Sequence, residues 1–256
     1  IQANVAFNRF MAAIYSGWTD PYFFLPVAAL PEREADYLEQ TLRLEPQNPE
    51  HLLFAARASM RDADNIVRAK AIENARNLLG EELELLDPKG FENIVDLLAA
   101  NLKAEMFDAR KPFLDRAESF VRRAVDAAPT MSSYHVLLGE VLSENPAALR
   151  QAAQQSQIAL WLAPKRPYVL LSAGRVLYRQ LPALPEAERA SLVDVIRSSF
   201  SQAIYGIPSY ADKVYEIVRG SNAGEWSFES VTPRSTRAYE RLYRALCAQR
   251  EWDRAL

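Results

Sequence analysis

The spacing of small and apolar residues between positions 117 and 178 constrains this chain more than any other feature. Ala117, Val121, Ala124 and Pro129 stand 4, 3 and 5 residues apart. Ala152, Ser156, Ala159 and Pro164 repeat that spacing 35 residues later. Residues at i, i+4 and i+7 share one face of a helix. Small side chains on that face let a second helix approach closely. The proline then stops the helix, because it has no N–H to donate and biases its predecessor away from helical geometry. A second helical pattern follows each proline, with Gly139 in the middle of one and Gly174 in the middle of the other. A glycine inside a helix costs about 1 kcal/mol against alanine, so one kept there points to a close helix–helix contact. Recurrence of all three signals together predicts stacked helix pairs rather than an ordinary bundle with alanine seams.

On these residues the chain resembles the tetratricopeptide repeat family. The resemblance implies an all-α fold, a right-handed superhelical stack of TPR-like helix-turn-helix repeats (an α-solenoid). Composition agrees with all-α. Ala, Leu, Glu and Arg dominate, there are only 8 glycines, and 49% of residues are hydrophobic, ample for a core.

The same spacing organises the remainder more loosely. Residues 1–31 read as an N-terminal helix and an irregular aromatic segment. In the helix, Ala6, Phe10 and Ala13 repeat the 4-then-3 spacing, as if the chain began on the second helix of an incomplete repeat. Pro21, Pro26 and Pro31 break the pattern around Trp18, Tyr22, Phe23 and Phe24, a segment packed on the first helices or a docking patch. Residues 32–256 read as a degenerate TPR-like repeat array. Glu32–Leu44 is predicted as a helix ending at Pro46. Glu50–Arg61 and Asp64–Leu79 are predicted as the next helix pair, with Arg68, Ile72 and Ala75 at the diagnostic spacing. Asp87-Pro88 starts a helix, aspartate as N-cap and proline in the first turn. That helix runs to about Phe107 with a core face of Ile94, Leu97, Leu98 and Leu102, and residues 108–113 turn. Farther on, Ile196, Phe200, Ala203 and Pro208 match the second-helix pattern, and Ala211–Arg219 forms a short helix. Residues 220–233 are rich in turn formers, and Trp226 and Phe228 within them either pack back or touch a ligand. Tyr239, Leu242, Tyr243 and Leu246 look like a repeat's first helix. EWDRAL opens its second, so the last repeat reads as truncated.

Charge and motifs exclude most chemistry. The net charge of −3 supplies no global drive toward nucleic acid or acidic membranes. The single cysteine, Cys247, excludes an internal disulfide and a multi-cysteine zinc site, and its apolar helical context predicts a core thiol. No run approaches the ~18 apolar residues of a membrane span. His51 and His135 are not in metal-ligand spacing, and His135 reads as a packing residue. P-loop, GxGxxG and GxSxG motifs are absent. Glu81-Glu82 reads as solvated helix end. No catalytic residue, cofactor or metal site is expected, and the chain reads as a non-enzyme.

Proteins of the resembled family line a concave groove with their first helices and bind peptides or proteins there. The position just after the small mid-helix residue faces that groove. Aligned by repeat, it is Arg57, Glu140, Arg175, Arg219 and Arg244, in a chain where arginine outnumbers lysine 24 to 6. Val218 and Tyr243 stand where the family has a small residue. Tyr134 and Tyr168, near the starts of two first helices, are expected to face inward. A groove of Arg and Tyr suits an acidic or carboxylate-bearing partner segment; the competing arrangement pairs these arginines with neighbouring glutamates. The resemblance therefore implies a protein–protein interaction scaffold. The alternative is a soluble accessory domain of a larger bacterial membrane enzyme of the O-antigen polymerase or ligase type, on the extracytoplasmic side.

Overall fold

The computed structural model describes residues 32–80, 87–219 and 228–248. The segment 1–31, the glutamate pair at 81–82, Trp226 and the final EWDRAL lie outside them. Eleven α-helices and no strand occur among the described residues. They group into two compact units, one ending at Pro129 and the other beginning at Thr130.

In the first unit α1 spans Glu32–Leu44, α2 Pro49–Leu79, α3 Pro88–Glu105 and α4 Phe107–Ala127. Asn48 caps α2 by accepting from the Glu50 and His51 amides, and Pro49 occupies the first helical position. The junction expected around Pro46 is therefore present. The expected pair of helices after it is not: α2 is one helix of 31 residues. No glycine or proline stands between Arg61 and Asp64, and Ala63 is fully buried, so nothing stops propagation. The buried stripe of its second half is Val67, Ala71 and Ala75. Arg68 instead leaves the helix to pair with Glu92 and Asp96 of α3. α3 begins at Asp87, whose side chain accepts from the Gly90 amide. Its Val95 packs with Ala71 and Ala75, flanked by Phe91, Ile94, Leu98 and Leu102. Leu97 points to solvent, contrary to the expected stripe, because it lies two positions round from Val95. No turn occupies 108–113. α4 already starts at Phe107, and Pro112 lies inside it. The bond that Pro112 forgoes would end on the carbonyl of Asp108, and both residues are exposed, so water can take that carbonyl. α4 packs along α2 through Leu114, Ala117, Val121 and Ala124.

In the second unit α5 spans Ser132–Ser143, α6 Leu149–Leu162, α7 Pro167–Gln180, α8 Glu186–Gly206, α9 Tyr210–Arg219, α10 Phe228–Val231 and α11 Thr236–Ala248. α7 packs against α5, α6 and α8, and α5 packs against α6. The 4-then-3 residues are the innermost ones: Ala152, Ser156, Ala159, Ile196, Phe200 and Ala203 are all fully buried. Each fully buried Ile or Phe contributes about 1.5–3 kcal/mol. The proline stop works as expected at three helix ends. Ala128, Ala163 and Ile207 precede the three prolines with φ of −147°, −143° and −137°. Each still donates its N–H to the carbonyl of the last small residue, Ala124, Ala159 or Ala203. Phe228 turns inward, its ring 4.7 Å from that of Tyr215. Tyr215 shares a 2.8 Å hydroxyl contact with Thr232. Among the described side chains of α11 the buried ones are Ala238 and Leu242, while Tyr239 and Tyr243 are half exposed.

Candidate functional site

α7 is buried on nearly every side; from Tyr168 to Gln180 only Tyr168, Arg175, Tyr178 and Arg179 escape burial. Tyr168, Arg175 and Arg179 are 7 and 4 residues apart and share one helix face. On α5 and its C-cap the corresponding residues, 35 positions earlier, are Ser133, Glu140 and Glu144, and they too are the less buried ones. Two polar strips of equal spacing therefore border each other on otherwise apolar helices.

The strips are joined by ion pairs. Arg175 Nη2 lies 2.6 Å from Glu140 Oε1, with the two side chains 27% and 18% exposed. One turn on, Arg179 Nη1 lies 2.9 Å from Glu144 Oε1. The same Arg179 nitrogen donates to Ser143 Oγ at 3.1 Å, and Ser143 donates to the Glu140 carbonyl at 2.8 Å. Both pairs join residues 35 positions apart. α5 and α7 therefore run side by side in the same direction, in the register that the repeat spacing predicts. Half-burial raises the strength of such pairs above that of solvated ones, because the local dielectric is lower.

The residues expected to form the groove are distributed as follows. Arg175 is on the strip and is held by Glu140. Tyr168 is on the same strip and packs by its ring against the cluster of Val136, Ala159, Ala163 and Val169. Tyr134 is buried at 4% exposure, one residue round from Ser133, and faces the core. Arg57 is half-buried on α2 of the first unit. Arg244 is exposed on α11. Arg219 ends α9, and its side chain is outside the described ones. Arg179, Glu144 and Ser143 were not singled out from sequence. The period that links Glu140 to Arg175 also links Glu144 to Arg179, so the signal for them was present.

Other polar features behave as structure. His135 is buried, its Nδ1 in hydrogen-bond contact with Gln155 Oε1 at 2.7 Å. Cys247 is half-buried rather than core. Between α6 and α8 lies a groove of about 850 Å³ lined by Gln151, Gln154, Gln157, Gln180 and Glu188. No cluster of three or more His, Cys, Asp or Glu among the described residues could hold a metal ion. No helix among them is long and apolar enough to cross a membrane. The chain matches no protein-family profile and no protein of curated function.

Proposed function

We propose that this protein is an interaction scaffold of the TPR-like helical-repeat kind, binding a partner segment along the strip of α5 and α7. One observation carries the reading: apart from Tyr178, α7 beyond its first residue is buried except for a line of Tyr168, Arg175 and Arg179 bordered by Glu140 and Glu144. A fold that needed only stability gains little from half-buried charge pairs there, since well-packed apolar residues do as well or better. A partner carboxylate can compete with Glu140 for Arg175, because the planar guanidinium fork suits carboxylates. Tyr168 adds a flat aromatic contact beside it. Arg219 and Arg244 are the residues at the same repeat position farther along, and Arg57 is the corresponding one in the first unit.

The test is a charge swap. Arg175→Glu combined with Glu140→Arg keeps an ion pair across the two helices but reverses which helix carries the cation. The swapped chain should melt like the parent and lose at least about tenfold in affinity for the partner that the parent captures, since a reversed buried charge contact costs several kcal/mol. Retained capture by the folded swap variant would remove the strip from the partner site.

A further inference from the structure

The turns at one end of the second unit expose a set of side chains that the packing does not use. Trp161, next to the last residue of α6, is 80% exposed, and Tyr205, next to the last residue of α8, is 72% exposed. They occupy the same repeat position, each two residues after the last small residue, Ala159 or Ala203. Lys165 and Arg166 lie in the turn between α6 and α7, both exposed, with no ion-pair partner among the described residues.

These four residues belong to one edge. The turn of Lys165 and Arg166 links the end of α6 to Pro167, the first residue of α7. Gly206 is pressed against that proline so closely that a Cβ on the glycine would fall 2.5 Å from Pro167 Cγ. Tyr205 is the neighbour of Gly206. α5 runs in register beside α7, so its start is at the same end, and there Met131 is 44% exposed.

The edge is cationic as well as aromatic. No Asp or Glu occurs between Glu144 and Glu186, nor between Asp194 and Asp212, in a chain with 33 acidic residues. Within the first of these stretches Arg175 and Arg179 are engaged by Glu140 and Glu144. Among the described residues Lys165 and Arg166 are therefore left without an acidic partner, four and five positions past Trp161. Favourable interaction with the carboxyl end of α6 accounts for two cations. It does not account for an indole held in water.

We propose that this end of the second unit is a docking surface for an anionic lipid bilayer. Trp161 and Tyr205 lie at the headgroup level and Lys165 and Arg166 contact lipid phosphates. Tryptophan and tyrosine favour that level because an apolar ring and a polar N–H or O–H each find their medium there. Lysine and arginine reach phosphate while their stems lie along the acyl boundary. A membrane fits better than a protein partner because the aromatics project from helix ends. Protein hot-spot aromatics instead fill enclosed pockets ringed by other residues. Two cations and two rings make a weak, salt-sensitive attachment, peripheral rather than spanning.

Co-sedimentation of the full chain with vesicles tests this. Phosphatidylcholine vesicles containing phosphatidylglycerol should pellet the protein at low salt and release it at high salt. Vesicles of phosphatidylcholine alone should not pellet it. Lys165→Glu with Arg166→Glu should lower the partition by roughly tenfold or more, since each basic residue near an anionic surface is worth about fivefold. Trp161→Ser with Tyr205→Ser should lower the low-salt partition as well. All four side chains are exposed, so both variants should keep the parent's helical signal and melting temperature. Arg43→Glu with Lys70→Glu changes the net charge equally on the first unit and should leave the partition nearly unchanged. The proposal is overturned if the parent ignores the anionic vesicles. It is also overturned if either edge variant binds them as the parent does, or if the control pair loses as much as the Lys165 and Arg166 pair.

Discussion

Gly174 has no side chain because Phe200 occupies the space one would need. A Cβ there would sit 2.7 Å from the phenyl ring, closer than real Cβ contacts. Gly139 is crowded in the same way by Ser156 Oγ at 2.8 Å and the Ala152 carbonyl at 3.2 Å. The two glycines therefore forgo helix propensity for the approach of a second helix. Gly174→Leu should destabilise by about 1–3 kcal/mol in denaturant melts, because the fully buried Phe200 ring would have to shift to admit the side chain. A second residue-scale prediction concerns pH. Burial is the largest influence on His51 and lowers its pKa from 6.5, against Glu45 and Glu50, which raise it. Below about pH 6.5 the unfolded chain accordingly holds a proton that the folded chain resists. The stabilisation from neutral burial is complete above that pH, falls as pH drops below it, and levels off under the folded-state pKa. Burial of Asp62 raises its carboxyl pKa, against Arg61 and Arg116, and so acts in the opposite sense as acid is added. The difference between parent and His51→Gln isolates the histidine. The parent should lose stability relative to the variant between about pH 7 and pH 5. Equal slopes would show that His51 is protonated as readily folded as unfolded.

At the scale of elements, helix stops were legible wherever proline or glycine supplied them, and helix continuity was not. The three Ala-Pro or Ile-Pro stops fall where the spacing places them, because the missing N–H acts locally. The run Arg61-Asp62-Ala63-Asp64 looks polar enough for a turn, but tertiary partners hold it helical. Asp64 reaches Lys103 of α3 at 2.9 Å and Arg110 of α4 at 3.4 Å. Arg110 is itself buried at 2% exposure and donates to the Lys103 carbonyl. Asp64→Ala should therefore cost about 1–3 kcal/mol by depriving a buried guanidinium of its carboxylate, an amount reduced by the partial exposure of Asp64. Glu39→Ala, which breaks a fully surface pair with Arg43, should cost under about 0.5 kcal/mol. Chemical denaturation of the two variants in parallel would check the contrast. The boundary between α3 and α4 had no sequence signal either. It is a single residue, Met106, with φ −94° and ψ 18°, and no glycine or proline marks it.

At the scale of the whole molecule, the all-α class, the innermost small residues and the glycine contacts were legible in the spacing along the chain. These depend on period and side-chain volume, which are properties of a single helix. The recurrence of the 4-then-3 spacing after 35 residues is the same offset that joins α5 to α7 through Glu140 and Arg175. Only the tertiary structure decided which polar residues end up beside each other. Arg175 could have been open or paired, and packing put it 2.6 Å from Glu140. Tyr134 and Tyr168 look alike in sequence. A helix turns 100° per residue, and the neighbours of α5 and α7 decide which direction is core, so one tyrosine is buried and the other lies on the strip. Trp161 belongs to the same category. Two positions past the fully buried Ala159 it lies about 200° round the helix from the packed face, and no described element covers that side, so the indole is 80% exposed.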